Sequence, residues 1–80
     1  MNFKNTVSEL ESEKEFIKQK IDEINNFCIP NNERLAIEIP FDFEREKAKL
    51  RVEMYKLMIE RYNIDMKYLD YYLAYKKYDI

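Results

Sequence analysis

The chain has 80 residues, of which 46% are hydrophobic and 38% charged, so one small domain is possible and a second is excluded. Histidine and glycine are both absent, which removes most catalytic, metal-binding and phosphate-binding motifs. The net charge of −2, from 14 basic and 16 acidic residues, argues against both a polybasic binder and an acidic mimic of DNA.

A first helix is predicted over residues 6–27. Its face is formed by residues that recur every three or four positions, namely Phe3, Val7, Leu10, Lys14, Ile17, Ile21, Ile24 and Cys28. Thr6 and Glu9 fit a capping box, in which a hydroxyl and a carboxylate each bond a backbone N–H that is unpaired at the helix start. Pro30 is expected to end the helix, because proline lacks an N–H and disfavours helical angles in the residue before it.

The connector over residues 29–41 has two interpretations. Five apolar side chains alternate with other residues, namely Leu35, Ile37, Ile39, Phe41 and Phe43. An extended chain would place all five on one side, and this is the interpretation that the alternation favours. The other interpretation is a short helix that is capped by Asn32 and ends before Pro40.

A second helix is predicted over residues 43–62, with Asp42 as its N-cap. A third is predicted over residues 66–78, because Asn63 can adopt the left-handed conformation that ends a helix and Asp65 can cap the next one. A seven-residue spacing supports the alternative of one uninterrupted helix. It runs through Leu57, Arg61, Ile64, Tyr68, Tyr71, Tyr75 and Tyr78.

The expected fold is therefore all-α, with the chain forming a single helical domain. It is either a small helical bundle or a coiled-coil-like helical hairpin plus a third, tyrosine-rich helix. In both cases a short extended segment joins the first two helices.

The apolar stripe of the first helix has two possible partners. It can pack antiparallel on the second helix, or it can pair with a copy of itself as a parallel coiled coil. In the second case the self-association residues are Val7, Leu10, Lys14, Ile17, Ile21 and Ile24. The second helix is also apolar around much of its circumference, so we expect a homodimer in which another copy covers part of that surface.

Tyrosines encircle the third helix, so some of them must be exposed. They either cap the core or bind a partner protein, to which tyrosine offers a large apolar face and a hydroxyl at little loss of side-chain entropy. The extended segment can likewise lie across its own helices or add a strand to the sheet edge of a partner. The predicted partner-binding residues are Tyr68, Tyr71, Tyr72, Tyr75 and Lys76 of the helix, with Leu35, Ile37 and Ile39 of the segment.

Catalysis is not expected, because the serines and Cys28 have no histidine to act as their base. We also expect no cofactor, no metal ion and no small-molecule substrate. A nucleic-acid interface would rest on Arg45, Lys49 and Lys56, but the acidic residues between them favour an ordinary salt-paired helix surface.

These features favour a non-enzymatic protein-interaction module, a stoichiometric inhibitor or regulator that occupies a surface of a larger protein. The alternatives are a structural coiled-coil assembly factor and a small nucleic-acid-binding regulator. Asn, Lys, Ile, Tyr, Phe and Met make up more than half of the chain, as A/T-rich codons would give, which suggests a low-GC bacterium, and a phage or mobile element of it, as the source. An anti-defence inhibitor of the anti-CRISPR kind is one member of the inhibitor class in that setting. With no signal peptide, no spanning helix and no possible internal disulfide, a cytoplasmic location is expected.

Overall fold

The computed structural model of the protein describes the backbone of residues 6–78 and the side chains of residues 6–76, and within them every element is helical. The elements in order are α1 (Val7–Glu23), a π-helical turn (Ile24–Cys28), α2 (Ile29–Glu38) and α3 (Asp42–Tyr78). The first three follow one another without a break and form what we call the first arm, residues 7–38. The all-α prediction is confirmed.

The second arm is α3, and the two arms lie side by side and antiparallel. Three residues join them at one end, and toward the other end Lys14 of α1 forms an ion pair with Asp70 of α3. The molecule is slender, with Cα extents of 60 × 15 × 14 Å. The first arm and α3 therefore have only each other as neighbours within residues 6–76, and the side of α3 that faces away from the first arm has none.

The first arm begins with the capping box that the sequence predicts. The backbone N–H of Glu9 donates to the Thr6 hydroxyl at 3.2 Å, and the Glu9 carboxylate accepts from the Thr6 backbone N–H at 3.5 Å. Both halves of the predicted capping box are thus formed.

The first arm continues through Pro30, so the prediction that this proline ends the helix at residue 27 is wrong. In the turn before it, the N–H of Ile29 bonds the carbonyl of Ile24, five residues back instead of four. This wider turn gives the proline ring room beside the preceding carbonyls. Pro30 is the second residue of α2, and the carbonyl that its missing N–H would bond in a regular helix lies in the widened turn.

The π-helical turn also keeps the core on one side of the arm. Leu10, Ile17 and Ile24 are buried at intervals of seven residues, whereas the next buried residue, Asn32, follows after eight. A π-helical turn inserts one residue, and that residue compensates for the longer interval. Asn32 is not a cap, as the helical alternative for the connector had it, because its Nδ2 donates to the carbonyl of Cys28 within the helix, at 2.8 Å.

The predicted extended connector over residues 29–41 is also wrong, because residues 29–38 form α2 and only three residues link the arms. The period-two alternation of Leu35, Ile37 and Ile39 is too short to exclude a helix, in which the first and last of them share a face. A helix also satisfies its backbone hydrogen bonds internally, whereas a strand without a partner would leave them unpaired. The end before Pro40 is the one that the helical alternative predicted.

The predicted break at residues 63–65 is absent, and the second and third predicted helices are one helix, α3. None of the described residues has a positive φ, so Asn63 does not adopt the left-handed conformation that the break required. The uninterrupted alternative, which rested on the seven-residue spacing, is correct. The seam that packs against the first arm, however, is a different stripe of α3.

Candidate interaction face of the second arm

One side of α3 packs against the first arm through a stripe that we call the inner seam. All of its members are buried or half-buried: Arg45, Ala48, Val52, Tyr55, Ile59, Tyr62, Met66, Leu69, Leu73 and Lys76. They recur at alternating intervals of three and four residues, the repeat of helices that wind around each other. Leu69 and Leu73 form a buried cluster with Leu10 and Ile17 of α1.

A second stripe, which we call the outer face, runs along the same helix with the same repeat. Its members are Phe43, Lys47, Leu50, Met54, Leu57, Arg61, Ile64, Tyr68, Tyr71 and Tyr75, and every one of them is exposed. At 3.5 residues per turn the outer face lies about 150° around the helix from the inner seam. The first arm therefore covers none of it.

The outer face is apolar enough to be unusual for a surface. Its eight apolar and aromatic side chains are between 47% and 73% exposed, so that Leu57 is 64% exposed where Leu69 on the inner seam is 0%. At roughly 100 Å² of exposed area each, these side chains present about 800 Å², more than the 300–600 Å² of the largest patch on a typical soluble monomer. A surface of this extent is typical of an interaction site.

The face is not flat at its tyrosine-rich end. Ile64, Lys67, Tyr68 and Tyr71 line a shallow open groove of about 390 Å³. The Tyr71 ring meets that of Tyr72 edge to face, with centroids 6.1 Å apart, which helps to fix the ring that borders the groove. An apolar side chain from a partner could lodge there.

The predicted tyrosine surface is divided by the structure. Tyr68, Tyr71 and Tyr75 lie together on the outer face. Tyr72 is half-buried and packs against the core cluster, and Lys76 is a half-buried member of the inner seam. The side chain of Tyr78 and the whole of Phe3 lie outside the described residues.

The predicted recognition strand does not exist as a strand, and its residues do not meet the tyrosines. Leu35 and Ile39 are half-buried near the link into α3, while Ile37 is 80% exposed. Residue 68 lies 26 residues along α3 from its start, which at 1.5 Å per residue is about 40 Å. The two sets of predicted partner-binding residues are therefore at opposite ends of the molecule.

The predicted self-association residues all lie in α1 or the π-helical turn, on the side that faces α3. Leu10, Ile17 and Ile24 are buried, and the half-buried residues Val7 and Ile21 pack against the core cluster. The ammonium group of Lys14 pairs with Asp70 of the same chain. The stripe thus packs within its own chain, but its core cluster is formed with Leu69 and Leu73, in the part of α3 predicted as the third helix and not the second. A parallel coiled coil through the stripe would require the arms to separate.

Two of the three basic residues considered for nucleic-acid binding, Arg45 and Lys49, have local acidic partners. Arg45 pairs with Asp42, and the ammonium group of Lys49 lies 3.0 Å from the carboxylate of Glu46. Pairs three residues apart on one helix are an ordinary feature of solvated surfaces.

Five apolar residues of the outer face were not among the predicted partner-binding residues. The missed residues are Phe43, Leu50, Met54, Leu57 and Ile64. The sequence does contain a pattern that could have identified them, because the seven-residue spacing that begins at residue 57 also extends back through residues 54, 50 and 47 to residue 43. The assumed break at residues 63–65 divided that stripe in two.

Comparison with known protein families gives no match, and no curated protein or solved structure is significantly similar to this chain. Among the described residues, no helix combines the length and the apolar composition that crossing a bilayer would require.

Proposed function

We propose that this protein is a non-enzymatic interaction module whose docking surface is the outer face of α3. The single observation that carries the proposal is the stripe of eight exposed apolar and aromatic side chains over residues 43–75. Leaving that area in water is unfavourable by about 25 cal/mol per Å², so a partner that covers it gains a corresponding driving force.

The composition of the face suits protein recognition. Tyrosine is enriched at the energetically dominant positions of interfaces, and Tyr68, Tyr71 and Tyr75 are grouped at one end. Lys47 and Arg61 interrupt the apolar stripe, so a partner must supply either space or acceptors for them. Such a module acts by covering the surface of the protein that it binds. This supports a role as a stoichiometric inhibitor or regulator of a larger protein.

The A/T-rich composition supports a phage or mobile-element setting, in which the protein bound by the face would belong to the host. Self-association into an assembly is the second candidate function, favoured by the charge pattern that flanks the face.

The test is a comparison of tagged baits expressed in a low-GC bacterial host. Leu57→Lys/Tyr71→Lys places two charges on the outer face. The matched control, Phe16→Lys/Ile37→Lys, replaces two apolar side chains of the first arm that are similarly exposed. Circular dichroism must show both variants to be as helical as the wild type.

We expect the wild type and the control to retain the same stoichiometric partner, and the face variant to lose it. Once that partner is known, its activity should fall in proportion to added protein and reach its minimum at equivalence. Equal recovery by all three baits would contradict the proposal.

A further inference from the structure

We propose that the outer face of α3 is covered by the outer face of a second copy of this chain, with the two α3 helices antiparallel. This inference rests on the proposed function, because it names what covers the same docking surface in the free protein. A larger partner would then have to displace the second copy in order to bind. Four helices would then lie in one layer, with the two copies of α3 in the middle and the two first arms outside.

The repeat of the outer face indicates that its occupant is a helix. A straight α-helix drifts about 20° per seven residues, so a stripe with a strict seven-residue repeat follows the groove between two supercoiled helices. The stripe from residue 43 to residue 75 is about 48 Å long at 1.5 Å per residue. A second α3 has the length and the repeat to cover all of it.

The exposed area is sufficient for a stable dimer. The side chains of the face, 47–73% exposed, offer about 800 Å² per copy, which equals the share of each partner in a standard specific interface.

The basic residues of the face favour an antiparallel arrangement. In a parallel pair each residue of the stripe meets its own copy, so Lys47 would face Lys47 and Arg61 would face Arg61. Consider an antiparallel pair in which the two-fold axis passes through the outer face at the level of residue 59, midway between Leu57 and Arg61. Arg61 then faces Leu57 of the second copy, and Lys47 faces Tyr71 of the second copy. No like charges then meet within the stripe.

The same register pairs apolar residues along the rest of the face. The remaining facing pairs are Phe43 with Tyr75, Leu50 with Tyr68, and Met54 with Ile64. With the axis at residue 59, all of α3 from residue 43 to residue 75 lies within the contact, so this register covers the whole stripe.

Charges on the two edges of the face complement one another in this register. Glu53 lies next to Lys67 of the second copy on one edge, and Arg51 lies next to Asp65 of the second copy on the other. The two-fold axis repeats each pair, so four ion pairs form. Among residues 6–76 none of these four side chains has an ion-pair partner in its own chain. Glu60 meets its own copy at the axis, which is the one unfavourable contact of the register.

Sedimentation equilibrium of the full chain, from the low to the high micromolar range, tests the inference. We expect a monomer–dimer equilibrium in the wild type. Glu53→Lys and Lys67→Glu should each weaken the dimer by about tenfold, because two attractive pairs become two repulsive ones. The double variant Glu53→Lys/Lys67→Glu should restore the wild-type dissociation constant to within about twofold, since its pairs are again opposite in charge.

Matched controls alter the net charge equally on the first arm. Glu33→Lys and Lys18→Glu are exposed there, in α2 and α1, and neither residue forms an ion pair among residues 6–76. Both should leave the dissociation constant unchanged within about twofold. Glu60→Gln should strengthen the dimer, because it removes the repulsion at the axis.

A wild type that stays monomeric at the highest concentration overturns the inference. So does a dimer that Leu57→Lys leaves intact, or one that the charge swap does not restore. The bait experiment described for the proposed function separates the two proposals. If the chain is monomeric and the outer face still retains a foreign partner, the inference fails and the proposed function stands.

Discussion

Two leucines of α3 provide a direct test of which side of the helix carries the fold. Leu69 is fully buried among Leu10, Ile17 and Leu73, whereas Leu57 is 64% exposed on the outer face. Replacing leucine by alanine removes three carbon atoms, or about 2.4 kcal/mol of transfer free energy when the side chain is fully buried. The cavity left behind raises the expected loss for Leu69→Ala to about 3 kcal/mol.

The expected loss for Leu57→Ala is much smaller. About one third of this side chain is covered, so the transfer term is about 0.8 kcal/mol, and the higher helix propensity of alanine offsets part of it. The free energy of unfolding should therefore fall by less than about 1 kcal/mol. A chain of this size has a total stability of about 4–12 kcal/mol, so the two variants are readily distinguished.

Urea unfolding followed by circular dichroism measures both values. The protein concentration must be low enough for the wild type to be monomeric, because Leu57 also lies in the proposed dimer contact. Equal losses for the two variants, or a larger loss for Leu57→Ala, would refute the assignment of the inner seam and the outer face.

Two further predictions concern the first arm and its contact with α3. Deletion of Asn26 removes the extra residue of the π-helical turn and should destabilise the protein by about 3 kcal/mol in thermal or urea unfolding, because the ring of Pro30 then opposes a normal helical turn. The same deletion combined with Pro30→Ala should recover most of that loss, and no recovery would show that the turn serves another purpose. The partly exposed ion pair between Lys14 and Asp70 should give a coupling free energy of about 0.5 kcal/mol in a double-mutant cycle with alanine, and this value should decrease with added salt. A coupling that salt does not alter would contradict an electrostatic origin.

Local signals in the sequence were sufficient for the starts of the first arm and of α3, although the same kind of signal at Asp65 predicted a helix start that is absent. The capping box at Thr6 and Glu9 is formed, and α3 begins at Asp42, within one residue of the predicted start. These features depend on a few neighbouring residues, which is why they can be recognised without knowledge of the fold.

The errors arose where a local signal was overruled by packing. Pro30 is a strong helix breaker by itself, but the burial of Ile24 and Asn32 on one side of the first arm favours a widened turn over a break. Asn63 is a good residue for a helix end, yet a break there would interrupt the inner seam between Tyr62 and Met66, which both pack against the core cluster. Sequence propensities do not include the free energy gained by this packing, because the packing depends on residues that are distant along the chain.

The choice between the two stripes of α3 could not be made from their spacing, since both repeat every seven residues. Side-chain chemistry distinguishes them. Ala48 is fully buried on the inner seam, where a small residue lets the arms approach closely. Asp70, beside that seam, pairs with Lys14, whereas Arg61 on the outer face has no ion-pair partner among residues 6–76.

The two stripes also explain why the chain contains many aromatic residues although its buried core, among residues 6–76, contains none. The residues buried to the greatest extent are mostly aliphatic or small, namely Leu10, Ile17, Ile24, Ala48, Val52, Leu69 and Leu73. By contrast Phe43, Tyr68, Tyr71 and Tyr75 lie on the outer face, where they contribute little to the folding of one copy. These four side chains do little to stabilise the monomer and reduce its solubility, so the proposed association would account for them better than folding does.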